Sequence, residues 1–221
     1  MRTIDWHYDI LSPFARVQLA MMGDLPDAVT VRPVPTLLGA VLKHWGQRGP
    51  AEIAPKRVHT YRLVTWLARR HGVTLAFPPR HPFNPLPAMR LLAGLEADLD
   101  AVRAAFVHVW DHGNAPDDEA GLRALADALG ADPSLAVADR SKLLLRAATD
   151  GAIGRGVFGV PTFAVPGENR GVSGSENGSE DGHALFWGVD AMPMLVDYLA
   201  DPALFDGMAD LDAIEFAVAR R

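Results

Sequence analysis

The stretch TIDWHYDILSPFA, residues 3–15, decides the fold of this chain. Apolar and polar residues alternate over residues 3–10, which predicts a strand, and Ser12 followed by Pro13 then marks the start of a helix. Serine is a preferred N-cap because its hydroxyl accepts a backbone N–H that the helix leaves unpaired, and proline suits the first helical position because it has no N–H. Taken alone, this pattern predicts only a well-formed strand-to-helix turn.

A second stretch, GVFGVPTFAV at residues 156–165, predicts another strand with a proline at its start. Proline lacks the N–H that a central strand needs, so Pro161 belongs where the strand begins. We predict a cis bond between Val160 and Pro161, which would leave backbone groups free beside a ligand; a trans proline before an edge strand is the alternative. A strand that ends in Ser12 at a helix start, followed much later by this turn, is the layout of a thioredoxin-like fold.

Between these two stretches the pattern changes from strand to helix. Residues 13–22 predict the first helix and residues 29–34 a second strand parallel to the first, which makes a right-handed βαβ unit. Residues 35–154 show helical spacing for five or six helices, with glycines 72, 113 and 130 where helices would stop. This region predicts a large helical insertion.

After the insertion, strands return at residues 162–165 and 184–187, a helix begins near Asp190, and residues 208–221 predict an amphipathic helix. Residues 167–183 are polar and contain five glycines, which predicts a solvated loop, with a lid over the site as the weaker alternative. We therefore predict an α/β fold, a thioredoxin-like sheet with a large all-helical insertion. Two domains are expected, a discontinuous thioredoxin-like domain of residues 1–34 plus 155–221 and an inserted helical domain of residues 35–154.

Composition and charge exclude several classes of protein. The net charge of -6 provides no basic surface for nucleic acid, so no nucleic-acid partner is expected. The first nine residues contain charges at positions 2, 5 and 9, so they lack the apolar core of a signal peptide. No apolar stretch approaches the length of about 20 residues that is needed to span a bilayer. These features predict a cytoplasmic location without membrane contact.

Two motifs that resemble ligand sites are set aside. GRGVFG at residues 154–159 matches G-x-G-x-x-G, but it follows a helix and precedes a strand, the reverse of the order in a dinucleotide site. His108 and His112 lie four residues apart, yet Val109 stands where a metalloprotease has glutamate and no third ligand is evident. No metal site is predicted.

Six segments, in order along the chain, indicate a family. They are DILSPFA at 9–15, PTLLGAVLKHWGQ at 35–47, PAEIAPK at 50–56, FNPLPAMR at 83–90, GVFGVPTF at 156–163 and FWGVD at 186–190. On these segments the chain resembles the 2-hydroxychromene-2-carboxylate isomerases, members of a DsbA-like group that also contains the kappa-class glutathione transferases. The disulfide-exchanging relatives place C-x-x-C where this chain has Ser12-Pro13-Phe14-Ala15. Because the chain has no cysteine, any thiol must come from a bound cofactor.

The resemblance implies that glutathione is the cofactor and that Ser12 is the catalytic residue, which stabilises the glutathione thiolate. The implied glutathione-binding residues are Ser12, Pro13, Phe14, Gln47, Lys56, Val160, Pro161 and Asp190. In this scheme the backbone of Val160 pairs with the tripeptide, Lys56 attracts a carboxylate, and Asp190 accepts from the γ-glutamyl amine while capping the last helix.

The activity implied is isomerisation of a small aromatic keto acid by transient thiolate addition, in a homodimer. Two alternatives stay open, a kappa-like glutathione transferase and a non-catalytic thioredoxin-like binding protein. The chain departs from the family pattern at Gln47, where asparagine is usual, at Ala191, where arginine or serine follows the aspartate, and at Pro85, where threonine is common. These departures leave the identity of the substrate open.

Overall fold

A four-stranded mixed sheet organises the molecule in the computed structural model, which describes residues 1–167 and 182–206. Its strands are β1 (Arg2–Tyr8), β2 (Val29–Pro35), β3 (Thr162–Pro166) and β4 (His183–Trp187). Their order is β2-β1-β3-β4, with β1 parallel to β2 and β3 antiparallel to both β1 and β4. The parallel β1–β2 pair is the one that the βαβ pattern predicted.

Eight α-helices surround the sheet in the described part of the chain. They are α1 (Pro13–Ala20), α2 (Leu38–His44), α3 (Ala54–Arg70), α4 (Leu86–Leu95), α5 (Leu99–Phe106), α6 (Glu119–Ala128), α7 (Asp139–Gly154) and α8 (Met192–Ala200). Six of them, α2 to α7, lie within the segment predicted to be helical. Gly72 and Gly130 have positive φ angles of 66° and 60° just beyond the ends of α3 and α6, which explains why those helices stop at glycine.

The central strand β1 is buried on both faces because helices cover the sheet on both sides. Ile4, Trp6 and Tyr8 form its apolar face, where the Trp6 and Tyr8 rings stack with centroids 5.2 Å apart. The opposite face contains Asp5 and His7, and Asp9, the residue directly after the strand, continues the same alternation; all three are buried. A buried polar face needs internal partners, so this alternation places three hydrogen-bonding side chains under the helices.

The buried polar groups of β1 find most of these partners close by. Asp5 accepts from the guanidinium groups of Arg32 and Arg155 at 2.6 and 2.8 Å. His7 Nδ1 lies 3.1 Å from the Thr36 hydroxyl, while its Nε2 has no partner in the described part of the chain. Burial lowers the pKa of His7 to about 4, so this imidazole is neutral at pH 7.

One hydrophobic cluster contains residues from the sheet and from the helical region alike, among them Trp6, Phe163, Met89 and Trp110. The division into a domain of residues 1–34 plus 155–221 and one of residues 35–154 therefore stays a prediction. The predicted helix at 208–221, and the predicted loop except for residues 167, 182 and 183, lie outside the described residues. No helix in the described ranges is both long and apolar enough to cross a membrane.

Candidate active site

Ser12 and Pro13 form the helix start that the sequence predicts. Ser12 is the N-cap of α1, Pro13 is its first residue, and the Ser12 side chain is buried. The Ser12 hydroxyl accepts a long hydrogen bond, 3.4 Å, from the Ala15 N–H, which also reaches the Ser12 carbonyl oxygen at 3.1 Å. No acceptor for the hydroxyl proton is found among the described residues, so Ser12 has a hydrogen bond to offer a ligand.

The positive end of α1 is also available to an anion. No acidic residue lies in the first turn of α1, so no side-chain charge in that turn offsets the helix dipole. Within residues 1–167 and 182–206, the backbone N–H of Phe14 has no hydrogen-bond partner outside its own helix. An anion placed here could therefore receive bonds from both the Ser12 hydroxyl and a helix-terminal N–H.

The turn that leads from β1 into α1 is fixed by side chains from distant elements. The Asp9 carboxylate accepts from the backbone N–H groups of Leu11 and Leu38, each at 2.9 Å. The Ile10 carbonyl accepts from Trp110 Nε1 at 2.8 Å. Burial raises the pKa of Asp9 to about 6, against the two backbone bonds, which lower it.

A histidine holds the last carbonyl before Ser12. His81 Nε2 lies 3.0 Å from the Leu11 carbonyl oxygen, and His81 Nδ1 lies 2.7 Å from the Tyr61 hydroxyl. Since a carbonyl can only accept, Nε2 bears the proton of the neutral ring and Nδ1 accepts from Tyr61. Desolvation lowers the pKa of His81, which favours this neutral form.

The second half of the site lies at the same end of the sheet. The Val160–Pro161 bond is cis, the geometry predicted from the sequence. Because Thr162 pairs with His7 in antiparallel register, the preceding Val160 and Pro161 lie beside the end of β1 that leads to Ser12. The Pro161 carbonyl accepts from the Gly188 N–H at 2.9 Å.

Val160 has the open backbone that the sequence pattern predicts. Neither its N–H nor its carbonyl has a hydrogen-bond partner within the described ranges, although the residue is buried. A buried peptide group without a partner favours a ligand that pairs with it. An extended peptide laid along Val160 could supply both missing bonds.

The remaining predicted site residues are Gln47, Lys56 and Asp190. In the described part of the chain, no side-chain hydrogen bond or ion pair joins them to Ser12 or Val160. Gln47 follows α2 and Lys56 lies in the first turn of α3; both are exposed, and neither side chain has a hydrogen bond or ion pair among the described residues. The end of α2 is attached to the turn before Val160, because Trp45 Nε1 donates to the Val157 carbonyl at 2.9 Å.

The expected capping role of Asp190 is wrong. The N-cap of α8 is Ala191, which makes no side-chain cap, so Asp190 lies one residue too early. Its Oδ1 instead lies over Gly188, 2.6 Å from the position that a Cβ would occupy there. Asp190 is exposed, so its carboxylate stays accessible to a cation.

Sequence reasoning missed three residues that shape the site, Asp9, Tyr61 and His81. The only signal for Asp9 was its place in the alternation with Asp5 and His7, which marked a second buried face of β1. Tyr61 and His81 gave no signal, because their partners are 20 and 70 residues away.

The sheet, the Ser12 helix start and the cis turn at Val160–Pro161 define a thioredoxin-like protein. The chain belongs to the DSBA-like thioredoxin domain family, whose model matches residues 3–200. The predicted fold, a thioredoxin-like sheet with helical insertion, is thereby confirmed.

Curated relatives confirm the resemblance seen in the six segments. The chain is 29% identical over 212 residues to the 2-hydroxychromene-2-carboxylate isomerase of Sphingobium xenophagum, covering 90% of this chain and 99% of the relative. It is 24% identical over 217 residues to glutathione S-transferase kappa 1 of Caenorhabditis elegans, covering 90% and 91%. A solved 2-hydroxychromene-2-carboxylate isomerase structure superposes with a TM-score of 0.71 at 24% identity, covering 90% of this chain and 94% of the other, a likeness of fold.

Proposed function

We propose that this protein is a glutathione-dependent isomerase of the 2-hydroxychromene-2-carboxylate isomerase type. The observation that carries the proposal is that two groups available to a ligand lie at the same end of the sheet. One is the Ser12 hydroxyl, which donates no hydrogen bond in the described structure, and the other is the backbone of Val160, which has no partner there. One group suits an anionic sulfur and the other suits an extended peptide, and glutathione has both. The absence of cysteine from the chain agrees with a thiol supplied by a ligand.

Activation of the thiol is the first task of this site. A free thiol has a pKa of about 8.5, so only a small fraction is ionised at neutral pH. The hydroxyl of Ser12, the N–H of Phe14 and the dipole of α1 all stabilise the anion, whereas Pro13 has no N–H and contributes no donor. Ser12 is therefore a hydrogen-bond donor to the nucleophile and does not itself attack.

The peptide part of glutathione would be held by the remaining residues. The N–H and carbonyl of Val160, presented beside Pro161, pair with the cysteinyl unit. Lys56 offers a charge to a carboxylate, Gln47 offers an amide, and Asp190 accepts from the γ-glutamyl ammonium group. All three side chains are exposed, which leaves them free to meet a ligand.

Bound glutathione would supply a thiolate that adds to the conjugated double bond of an unsaturated aromatic keto acid and leaves unchanged after the bond has rotated. The chain's residues have to keep the sulfur ionised before addition and receive it again as an anion after elimination. Ser12 and the start of α1 serve both steps, because they stabilise the same charge each time.

The proposal is tested by mixing the protein with glutathione and a chromene carboxylate while the ultraviolet spectrum and the free thiol are both followed. An isomerase changes the spectrum at constant thiol. A kappa-like transferase, the alternative favoured by the 24% identical relative, consumes thiol when an electrophile such as 1-chloro-2,4-dinitrobenzene is added. Glutathione binding without either change would indicate a non-catalytic binding protein, and absence of binding would refute the proposed cofactor.

A homodimer and a cytoplasmic location belong to the same proposal. Exposed apolar residues on the helices, such as Trp66 at 53% and Leu143 at 67% exposure, offer apolar area for a second copy. Sedimentation at micromolar concentration tests the dimer, and a species of 23.8 kDa would refute it.

A further inference from the structure

Tyr61 and His81 form a hydrogen-bonded chain that ends one residue before Ser12. The Tyr61 hydroxyl donates to His81 Nδ1 at 2.7 Å, and His81 Nε2 donates to the Leu11 carbonyl at 3.0 Å. The Tyr61 hydroxyl also donates to the carbonyl of His81 itself at 3.0 Å, so its single proton is shared between that carbonyl and Nδ1. Both ring nitrogens of His81 are therefore used, which fixes the orientation of the imidazole.

Aromatic packing holds His81 in this position as well. The ring centroid of His81 lies 5.2 Å from that of Trp110, 6.1 Å from Phe83 and 5.5 Å from Tyr61. Trp110 itself donates to the Ile10 carbonyl, so two neighbouring side chains hold two successive carbonyls of the same turn. An imidazole packed between rings and used at both nitrogens has little freedom to move.

The chain of bonds also joins two parts of the proposed glutathione site. Tyr61 lies in α3, five positions after Lys56, and Leu11 adjoins Ser12. Among the described residues, Tyr61 makes the only side-chain hydrogen bonds from α3 to a residue more than ten positions away. This attachment therefore adds to the packing of α3 against α1, and together they place the exposed first turns of α3, which contain Lys56, relative to Ser12.

We propose that His81 is a positioning residue that sets the Ser12 hydroxyl against the bound sulfur, and that Tyr61 sets the distance between Lys56 and the same turn. This inference rests on the proposed function, since it assigns a role in glutathione use. The two roles predict separate effects on thiol ionisation and on glutathione binding, whereas a purely structural role would change both together. Loss of the His81–Leu11 bond disturbs thiol ionisation, whereas loss of the Tyr61–His81 bond disturbs binding of the peptide part.

Three variants test the inference. His81→Phe keeps an aromatic ring but cannot bond Leu11, so we expect the bound thiol to ionise about one pH unit higher and kcat at pH 7 to fall by between about threefold and tenfold. His81→Gln retains an amide donor and is expected to recover part of that loss. Tyr61→Phe removes the bond to His81 Nδ1, but the packing of His81 against Trp110 and Phe83 still holds its ring toward Leu11. We therefore expect KM for glutathione to rise about threefold with little change in the thiol pKa.

The matched control is Tyr198→Phe, which removes another phenol hydroxyl from the described structure, on α8. We expect wild-type kinetics from it. The readouts are thiolate absorbance of bound glutathione against pH, KM and kcat measured separately, and circular dichroism to confirm folding.

Two results would overturn the inference while leaving the proposed function intact: glutathione bound by His81→Phe ionising at the wild-type pH, or equal losses in folded His81→Phe and His81→Gln. If wild-type protein binds no glutathione, the proposed function fails first. Titration of the wild-type protein with glutathione therefore precedes the comparison of variants.

Discussion

Removal of the Ser12 hydroxyl separates its capping role from its proposed catalytic role. In Ser12→Ala the Ala15 N–H loses a bond of 3.4 Å but keeps the Ser12 backbone carbonyl at 3.1 Å. The lost cap is therefore a weak one, and we expect the free energy of unfolding to fall by about 0.5 kcal/mol, the lower end for N-caps.

The catalytic cost is expected to be much larger than the structural cost. The Ser12 hydroxyl donates no hydrogen bond in the described structure, so its proton is available to a thiolate. Because the acceptor is an anion, that bond would be charge-assisted and worth about 1.5–3 kcal/mol. That loss corresponds to about a ten- to a hundredfold fall in kcat/KM for glutathione. The bound thiol should also ionise at a higher pH.

Asp98→Ala provides a matched control, because Asp98 is the N-cap of α5 and accepts from the Ala101 N–H at 2.8 Å. This stronger cap should cost about 1 kcal/mol of stability while leaving kcat/KM unchanged. The two variants therefore rank in opposite order for stability and activity.

The assay combines urea unfolding with initial rates of isomerisation over a range of glutathione concentrations. If Ser12→Ala turned over at the wild-type rate with wild-type affinity, the helix terminus alone would activate the thiol and the role given to Ser12 would be wrong. If Asp98→Ala lost activity as well, the effect would reflect a general loss of structure.

Three further substitutions have definite expected outcomes. Burial lowers the pKa of His7 to about 4 from 6.5, so the unfolded chain binds more protons between these values; His7 then contributes stability that is present above pH 6.5 and is lost as the pH falls toward 4. Between pH 7 and pH 4.5, the free energy of unfolding measured in urea should therefore fall by about 2 kcal/mol less in His7→Asn than in the wild-type protein. Parallel plots of unfolding free energy against pH for the two proteins would contradict this. Gly159→Ala places a Cβ 2.6 Å from Trp187 Nε1, so a shift in tryptophan fluorescence and a loss of about 1–3 kcal/mol on unfolding are expected; an unchanged spectrum and stability would show that the indole has room. Asp190→Asn should raise KM for glutathione about tenfold with kcat retained, since an exposed carboxylate that binds an ammonium group acts in binding; γ-glutamyl-free analogues should lose this difference, and equal KM values would remove Asp190 from the site.

The parts of the fold that local chemistry determines could be predicted from the sequence. Ser12 and Pro13 mark a helix start because capping depends on residues within one turn, and the structure has them there. Proline chemistry placed Pro161 at the start of a strand, and the conjunction of this stretch with the Ser12–Pro13 turn predicted the cis bond at Val160–Pro161. The parallel β1–β2 pair followed from the βαβ rule.

Features that depend on distant residues could not be predicted. β1 ends at Tyr8 instead of residue 10, because the Asp9 carboxylate turns the chain by accepting from Leu11 and from Leu38, 29 residues away. Asp190 looked like a helix cap in the sequence, but α8 begins too late for that role. Contacts across such separations leave no local pattern to recognise.

The pairing of His7 in β1 with Thr162 in β3 has a consequence for folding of the protein during its synthesis. The central strand is made first, and while the next 150 or so residues are synthesised it can pair only with β2, so one edge shows an open row of N–H and carbonyl groups. A nascent chain released early would keep that edge and would hold Ser12 without Val160. Catalytic activity would therefore appear only when translation has passed β3, which makes a stalled chain both inactive and prone to aggregate.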